Sequence, residues 1–177
     1  MKDFESTLHR YMDAHQQEMI DRLCDLVRRP SISSSGEGVS ECCDYIVERM
    51  RQIGIDAQRH EVKPYPVITG SLGDDPSKKT VLIYAHYDVQ PVGDLSRWRT
   101  APFEPTIVDG KMYGRGTADN KGPLSAHLCA AEFYMREYGE LPVNLKFLFE
   151  GCEESNSAGL HEFINEHLDL LRSDVTY

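Results

Sequence analysis

The stretch TVLIYAHYD, residues 80–88, is a short run of apolar, β-branched and aromatic residues that ends in a histidine and an aspartate. Such a run predicts a central strand buried on both faces of a sheet. A second apolar run, VNLKFLFE at residues 143–150, predicts another strand, which ends in a glutamate. Helical patterns precede and separate these strands. The sequence therefore predicts an α/β fold of three layers, with a largely parallel central sheet flanked by helices.

Start and stop signals define the elements around these two strands. Gly54 suits the C-terminal end of a helix, and Ser155 or Ser157 suits the N-cap of the last helix. The dipeptide Asp109-Gly110 predicts a tight hairpin turn. The expected helices cover residues 4–27, 39–53, 120–138 and 160–171, and further strands are expected at residues 56–62, 67–72 and 173–177.

Composition excludes several classes of partner. The 177 residues are 40% hydrophobic, with 13 glycines and 9 prolines, which fits one globular domain. A formal net charge of −10 repels a phosphate backbone, so a nucleic-acid partner is not expected. No run reaches the roughly 18–20 apolar residues of a membrane span, and the N-terminus is too polar for a signal peptide. Five cysteines without a CxxC pair predict reduced thiols, and we expect a cytoplasmic protein.

Three polar clusters lie at or near strand ends, where α/β sheets bind ligands. They contain His86 with Asp88, Asp119 in the glycine-rich GRGTADNKG, and Glu153 with Glu154 in EGCEES. Each has a plain alternative: a partly buried histidine beside a surface aspartate, a dinucleotide-binding loop, or a solvated acidic turn. The dinucleotide loop is disfavoured because Asp119 would face the phosphates. Together, imidazole and carboxylate ligands predict a site for Zn²⁺ or Mn²⁺.

The strings VLIYAHYDVQPV, DGKMYGRGTADNKGP and EGCEES resemble the zinc-dependent exopeptidase family of carnosinase, cytosolic non-specific dipeptidase, carboxypeptidase G2, acetylornithine deacetylase and succinyl-diaminopimelate desuccinylase. HYDVQP with DNKGP is most similar to the dipeptidase branch. The resemblance implies that His86 and Glu154 each bind one metal ion, that Asp119 bridges the two, that Glu153 is the general base and that Asp88 supports His86. It also implies a cis peptide bond after Asp119.

The same resemblance implies a function and a domain organisation. Two Zn²⁺ ions per complete site, with Mn²⁺ or Co²⁺ as alternatives, would activate a water that cleaves an amide bond in a dipeptide or N-acyl amino acid. Residues 1–177 are expected to form the N-terminal part of the catalytic domain, without the inserted dimerisation domain and the C-terminal part that full-length relatives have. The alternative is a truncated, non-catalytic metal-binding fragment.

Overall fold

The computed structural model describes residues 3–177, which form one five-stranded sheet, a separate two-stranded hairpin, five α-helices and two short 3-10 helices. The helices are α1 (Phe4–Val27), α2 (Val39–Ile53), α3 (Lys121–Tyr138), α4 (Leu160–Glu166) and α5 (Leu168–Leu171). The strands are β1 (Asp56–His60), β2 (Val67–Leu72), β3 (Thr80–His86), β4 (Thr106–Val108), β5 (Lys111–Tyr113), β6 (Asn144–Glu150) and β7 (Val175–Thr176).

The main sheet has the strand order β1-β2-β6-β3-β7. Strand β3 pairs in parallel with β6 and with β7, while β2 pairs antiparallel with β1 and with β6. The sheet is therefore mixed, and its parallel part contains the two strands that carry polar clusters at their ends. The short strands β4 and β5 form the hairpin predicted from Asp109-Gly110.

Helices cover both faces of the sheet, which confirms the three-layer α/β prediction. Side chains alternate along each strand, so Ile83 and Phe147 pack in the core under α1, α2 and α3. Their neighbours Leu82 and Leu148 lie on the opposite face, in a smaller core with Phe163 of α4. The central strands are apolar on both faces because both faces are buried.

The register of β3 on β6 places His86 directly opposite Glu150. The amide of Tyr87 donates to the carbonyl of Glu150 at 2.8 Å, so the pairing continues to the last residue of each strand. Both strands thus end at the same edge of the sheet. The polar residues that follow them enter neighbouring loops.

The helix boundaries follow the sequence signals except at the last helix. Gly54 adopts a left-handed conformation (φ 97°) at the end of α2, as predicted. The last helix is two short helices, broken at His167, and Gly159 (φ 82°) stands at its N-cap. The expected serine caps are wrong because the hydroxyls of Ser155 and Ser157 donate to other side chains.

A buried carboxylate joins the three long helices. The side chain of Glu132 on α3 is 6% exposed and pairs with Arg22 of α1, Arg49 of α2 and Arg136 of α3. Arg22 and Arg136 also pair with Glu18, whose side chain is 40% exposed.

None of the helices within residues 3–177 is long and apolar enough to cross a lipid bilayer.

Candidate metal centre

His86 is the point at which four of the five predicted site residues meet, counting His86 itself. Its Nε2 lies 3.0 Å from Oδ1 of Asp119 and 3.8 Å from Oε2 of Glu153. The imidazole is buried, whereas the side chains of Asp119 and Glu153 are 73% and 43% exposed. A buried strand end therefore fixes the histidine, and two loops bring solvent-accessible carboxylates to it.

Asp88 is fully buried behind His86 and connects two of the predicted clusters. Its Oδ1 accepts the backbone N–H of Glu153 at 3.1 Å, and its Oδ2 accepts that of Glu154 at 3.0 Å. Nδ1 of His86 lies 3.4 Å from Oδ1 of Asp88 and 3.2 Å from the Asp88 carbonyl oxygen. The sequence predicted the contact with His86. The bond to two consecutive amides, 65 and 66 residues away, is a feature that sequence reasoning missed.

The charges around His86 favour a cation at this position. Burial lowers the pKa of the imidazole, but the hydrogen bond and the charge of Asp88, with the charges of Glu153 and Asp119, raise that pKa to about 9. Burial raises the pKa of Asp88, yet bonds from His86, Ser33 and the Glu154 amide outweigh it and lower that pKa. The centre therefore stabilises positive charge, from a proton or a metal ion.

The loop that carries Asp119 is shaped by glycine and by a buried lysine. Gly116 has φ 88°, and a Cβ there would lie 2.8 Å from the side chain of Val89. Nζ of Lys121 is buried and donates to the carbonyl oxygens of Leu26 at 3.2 Å and Arg29 at 2.5 Å, at the end of α1. The bond between Asp119 and Asn120 is cis, as the resemblance to the exopeptidase family implied.

Glu154 is held by a residue that the sequence did not single out. Nε2 of Gln90 donates to Oε2 of Glu154 at 2.8 Å and to its carbonyl oxygen at 3.2 Å. Within residues 3–177, no three histidine, cysteine, aspartate or glutamate side chains are arranged to hold a metal ion. The structure thus brings His86, Asp119 and Glu153 together and leaves the carboxylate of Glu154 bonded to Gln90.

The donor set fits a divalent cation in its chemistry. Imidazole and carboxylate oxygens are the ligands that Zn²⁺ and Mn²⁺ take in proteins. Because Asp88 occupies the Nδ1 side of His86, Nε2 is the nitrogen left for a ligand, and it faces Asp119. His86 and Asp119 therefore fit as two ligands of one ion.

Fold and site define an α/β protein with a histidine-carboxylate centre at the carboxyl ends of adjacent parallel strands. Comparison with known proteins identifies its family. The sequence profile of Peptidase family M20/M25/M40 matches residues 82–177, and the chain belongs to this family.

Relatives with named activities extend the match over nearly the whole chain. The chain is 36% identical to Cys-Gly metallodipeptidase dug1 of Schizosaccharomyces pombe over 89% of its own length, and 34% identical to human Beta-Ala-His dipeptidase over 95%. The crystal structure of human carnosine dipeptidase 1 superposes on 97% of the chain, with a TM-score of 0.91 and 33% identity. The chain spans 36% of the length of each of the first two proteins and 40% of the third.

Proposed function

We propose that this chain contributes the metal centre and the general base of a metallopeptidase that hydrolyses dipeptides or N-acyl amino acids. The observation that carries this proposal is the meeting of His86 Nε2 with Asp119 Oδ1 at 3.0 Å, beside the carboxylate of Glu153. Relatives named Cys-Gly metallodipeptidase and Beta-Ala-His dipeptidase support a small peptide substrate.

Each site residue has a proposed role. His86 and Glu154 would each hold one divalent ion and Asp119 would be a ligand of both, with Zn²⁺ as the proposed metal and Mn²⁺ or Co²⁺ as alternatives. Asp88 orients the imidazole of His86 and fixes the amides of both glutamates, which supports its assignment as a positioning residue. Bound divalent ions lower the pKa of a water and polarise the substrate carbonyl.

Glu153 moves the proton in the proposed reaction. Its amide is fixed by Asp88, and its carboxylate is partly exposed at 3.8 Å from His86, where a substrate can approach. The carboxylate accepts a proton from the attacking water and delivers it to the leaving amine as the amide bond breaks. Glu154 would hold a metal ion while Glu153 stays free to move the proton, because the two carboxylates have different neighbours: that of Glu154 accepts from Gln90, and that of Glu153 lies 3.8 Å from His86.

The proposal includes the organisation of the whole protein. Residues 1–177 form the N-terminal part of the catalytic domain, and further metal ligands and a dimerisation domain lie outside them. The match to just over a third of each relative supports this.

We also place the protein in the cytoplasm, since its five cysteines are free and four of them are buried. The alternative function is a non-catalytic metal-binding fragment.

The test compares the full-length protein that contains this chain with its Glu153→Ala variant, after loading with Zn²⁺ or Mn²⁺. We expect both to retain metal and only the parent to hydrolyse dipeptides, with a loss of about 10²–10⁴-fold in the variant. Glu166→Ala, which alters an exposed glutamate on α4, is the matched control. Metal retention without turnover in the parent would favour the non-catalytic alternative, and absence of metal binding would contradict the metal centre.

A further inference from the structure

Glu150 is a buried carboxylate at the end of β6 that the proposed reaction does not use. It is 1% exposed, and its Oε1 accepts the hydroxyls of Tyr84 at 2.6 Å and Ser157 at 2.8 Å. Its Oε2 is buried and has no hydrogen-bond partner among residues 3–177. Burial of a carboxylate costs free energy, and two hydroxyl bonds offset only part of that cost. An apolar side chain could fill this strand end without that cost in free energy, so the presence of a carboxylate calls for an explanation.

The hydroxyl of Ser157 connects Glu150 to the far end of the turn that carries the paired glutamates. This turn begins at Gly151, directly after Glu150, and Ser157 closes it by donating its amide to the Cys152 carbonyl at 2.8 Å. Ser157 has a φ of 49°, which is a strained conformation for a serine and needs support from its surroundings. Glu150 supplies that support from the sheet.

The turn is therefore bonded from two sides. Asp88 accepts the amides of Glu153 and Glu154 on one side, and Glu150 accepts the hydroxyl of Ser157 on the other. Asp88 and Glu150 are both buried, so water does not compete for these bonds. Tyr84 holds Glu150 itself from the neighbouring strand β3.

We propose that Glu150 is a positioning residue, which acts through Ser157 to fix the turn that presents Glu153 and Glu154. The inference rests on the proposed function, because it assigns Glu150 to the placement of a general base and a metal ligand. It predicts that loss of the bond between Glu150 and Ser157 loosens the turn locally and weakens metal binding, although neither residue touches the metal.

Ser157→Ala and Glu150→Leu test the inference, with two readouts. In the metal-free chain, we expect faster hydrogen exchange at the amides of Glu153 and Glu154. With Zn²⁺, we expect a dissociation constant raised by about 10–100-fold, the range for supporting partners of metal ligands. Glu150→Gln keeps an acceptor oxygen for both hydroxyls and is expected to restore most of the affinity. Ser77→Ala is the control, since it removes a solvent-exposed hydrogen bond from a serine hydroxyl to the carboxylate of Asp75.

The outcomes separate this inference from the proposed function. Exchange or Zn²⁺ affinity that stays at the parent value in Ser157→Ala overturns the role of Glu150, even where Glu150→Leu fails to fold. The inference is also overturned if Glu150→Gln and Glu150→Leu lose the same stability and the same Zn²⁺ affinity, with hydrogen exchange faster throughout the chain. If the parent binds no metal but hydrogen exchange at the amides of Glu153 and Glu154 is still faster in Ser157→Ala, the proposed function fails. The support of the turn by Glu150 then stands.

Discussion

Two clusters of ionised side chains in this chain have opposite compositions. In the helical layer one buried carboxylate, Glu132, is surrounded by arginines from three helices. At the sheet edge one buried imidazole, His86, is approached by the carboxylates of Asp88, Asp119 and Glu153. The first cluster has several bases around one acid, and the second has several acids around one base.

The two clusters differ in how their charge is balanced. The charge of Glu132 is neutralised by long side chains that also cover it, and Glu18 balances part of the remaining positive charge. The carboxylates at the sheet edge share one histidine, whose pKa they raise to about 9 against the effect of burial. A group of acids that stabilises added positive charge in an open site is typical of a place where a cation acts.

The largest effect on stability is expected from Glu132→Gln. The substitution keeps the shape of the side chain but leaves three guanidinium groups around an uncharged amide. Removal of one partner from a buried ion pair costs about 3–5 kcal/mol. Urea unfolding of the metal-free variant measures this loss, and a change below about 1 kcal/mol would contradict the structural role of the cluster.

The largest effect on metal affinity is expected from His86→Ala. Loss of the imidazole removes a proposed ligand, so affinity for Zn²⁺ should fall by more than the roughly 100-fold upper range for supporting residues. Isothermal titration calorimetry measures the affinity, and near-ultraviolet circular dichroism checks the fold. His161→Ala, at an exposed histidine of α4, should bind like the parent. Equal affinities in both variants would exclude His86 as a ligand.

A pH series sharpens the comparison in the metal-free chain. Because burial is outweighed by Asp88 and its acidic neighbours, the pKa of His86 is raised from 6.5 to about 9 in the folded state. A raised pKa contributes stability that is complete below the unfolded value and is lost as the pH rises through the folded value. The difference in unfolding free energy between the parent and His86→Gln should therefore shrink as pH rises from about 6.5 to about 9. A difference in unfolding free energy that stays constant with pH would contradict the raised pKa of His86.

The smallest effect is expected from Glu18→Gln. This glutamate pairs with two of the arginines that contact Glu132, but its side chain is 40% exposed and water screens the pairs. We expect a loss below about 1 kcal/mol, and a still smaller loss at high salt. Urea unfolding at two salt concentrations compares it with Glu132→Gln. Equal losses in the two variants would show that burial does not decide the strength of these pairs.

Local signals predicted most of the elements, including the two strands that end at His86 and Glu150. The apolar run before His86 predicted a central strand, and Gly54 and Asp109-Gly110 predicted a helix end and a hairpin. These predictions succeed because each depends on neighbours in sequence. The resemblance to a family then gave roles to the site residues, and those roles stay predictions.

The features that sequence reasoning missed depend on contacts between distant segments. Asp88 accepts bonds from the amides of Glu153 and Glu154, and Gln90 donates to Glu154, so these bonds join residues more than sixty positions apart. The antiparallel place of β2 beside β6 is likewise set by packing over the whole sheet. The serine caps failed because Ser155 and Ser157 found partners outside the helix.

The pairing of His86 with Glu150 has a consequence for protein engineering. Successive side chains of a strand point to opposite faces, so deletion of a single residue within β3 would turn the histidine to the face that packs against α1, α2 and α3. The exposed hairpin at Asp109-Gly110 has no such constraint and is a suitable place to graft a peptide tag. Length changes are thus tolerable at the hairpin tip and destructive in the strand that ends at the centre.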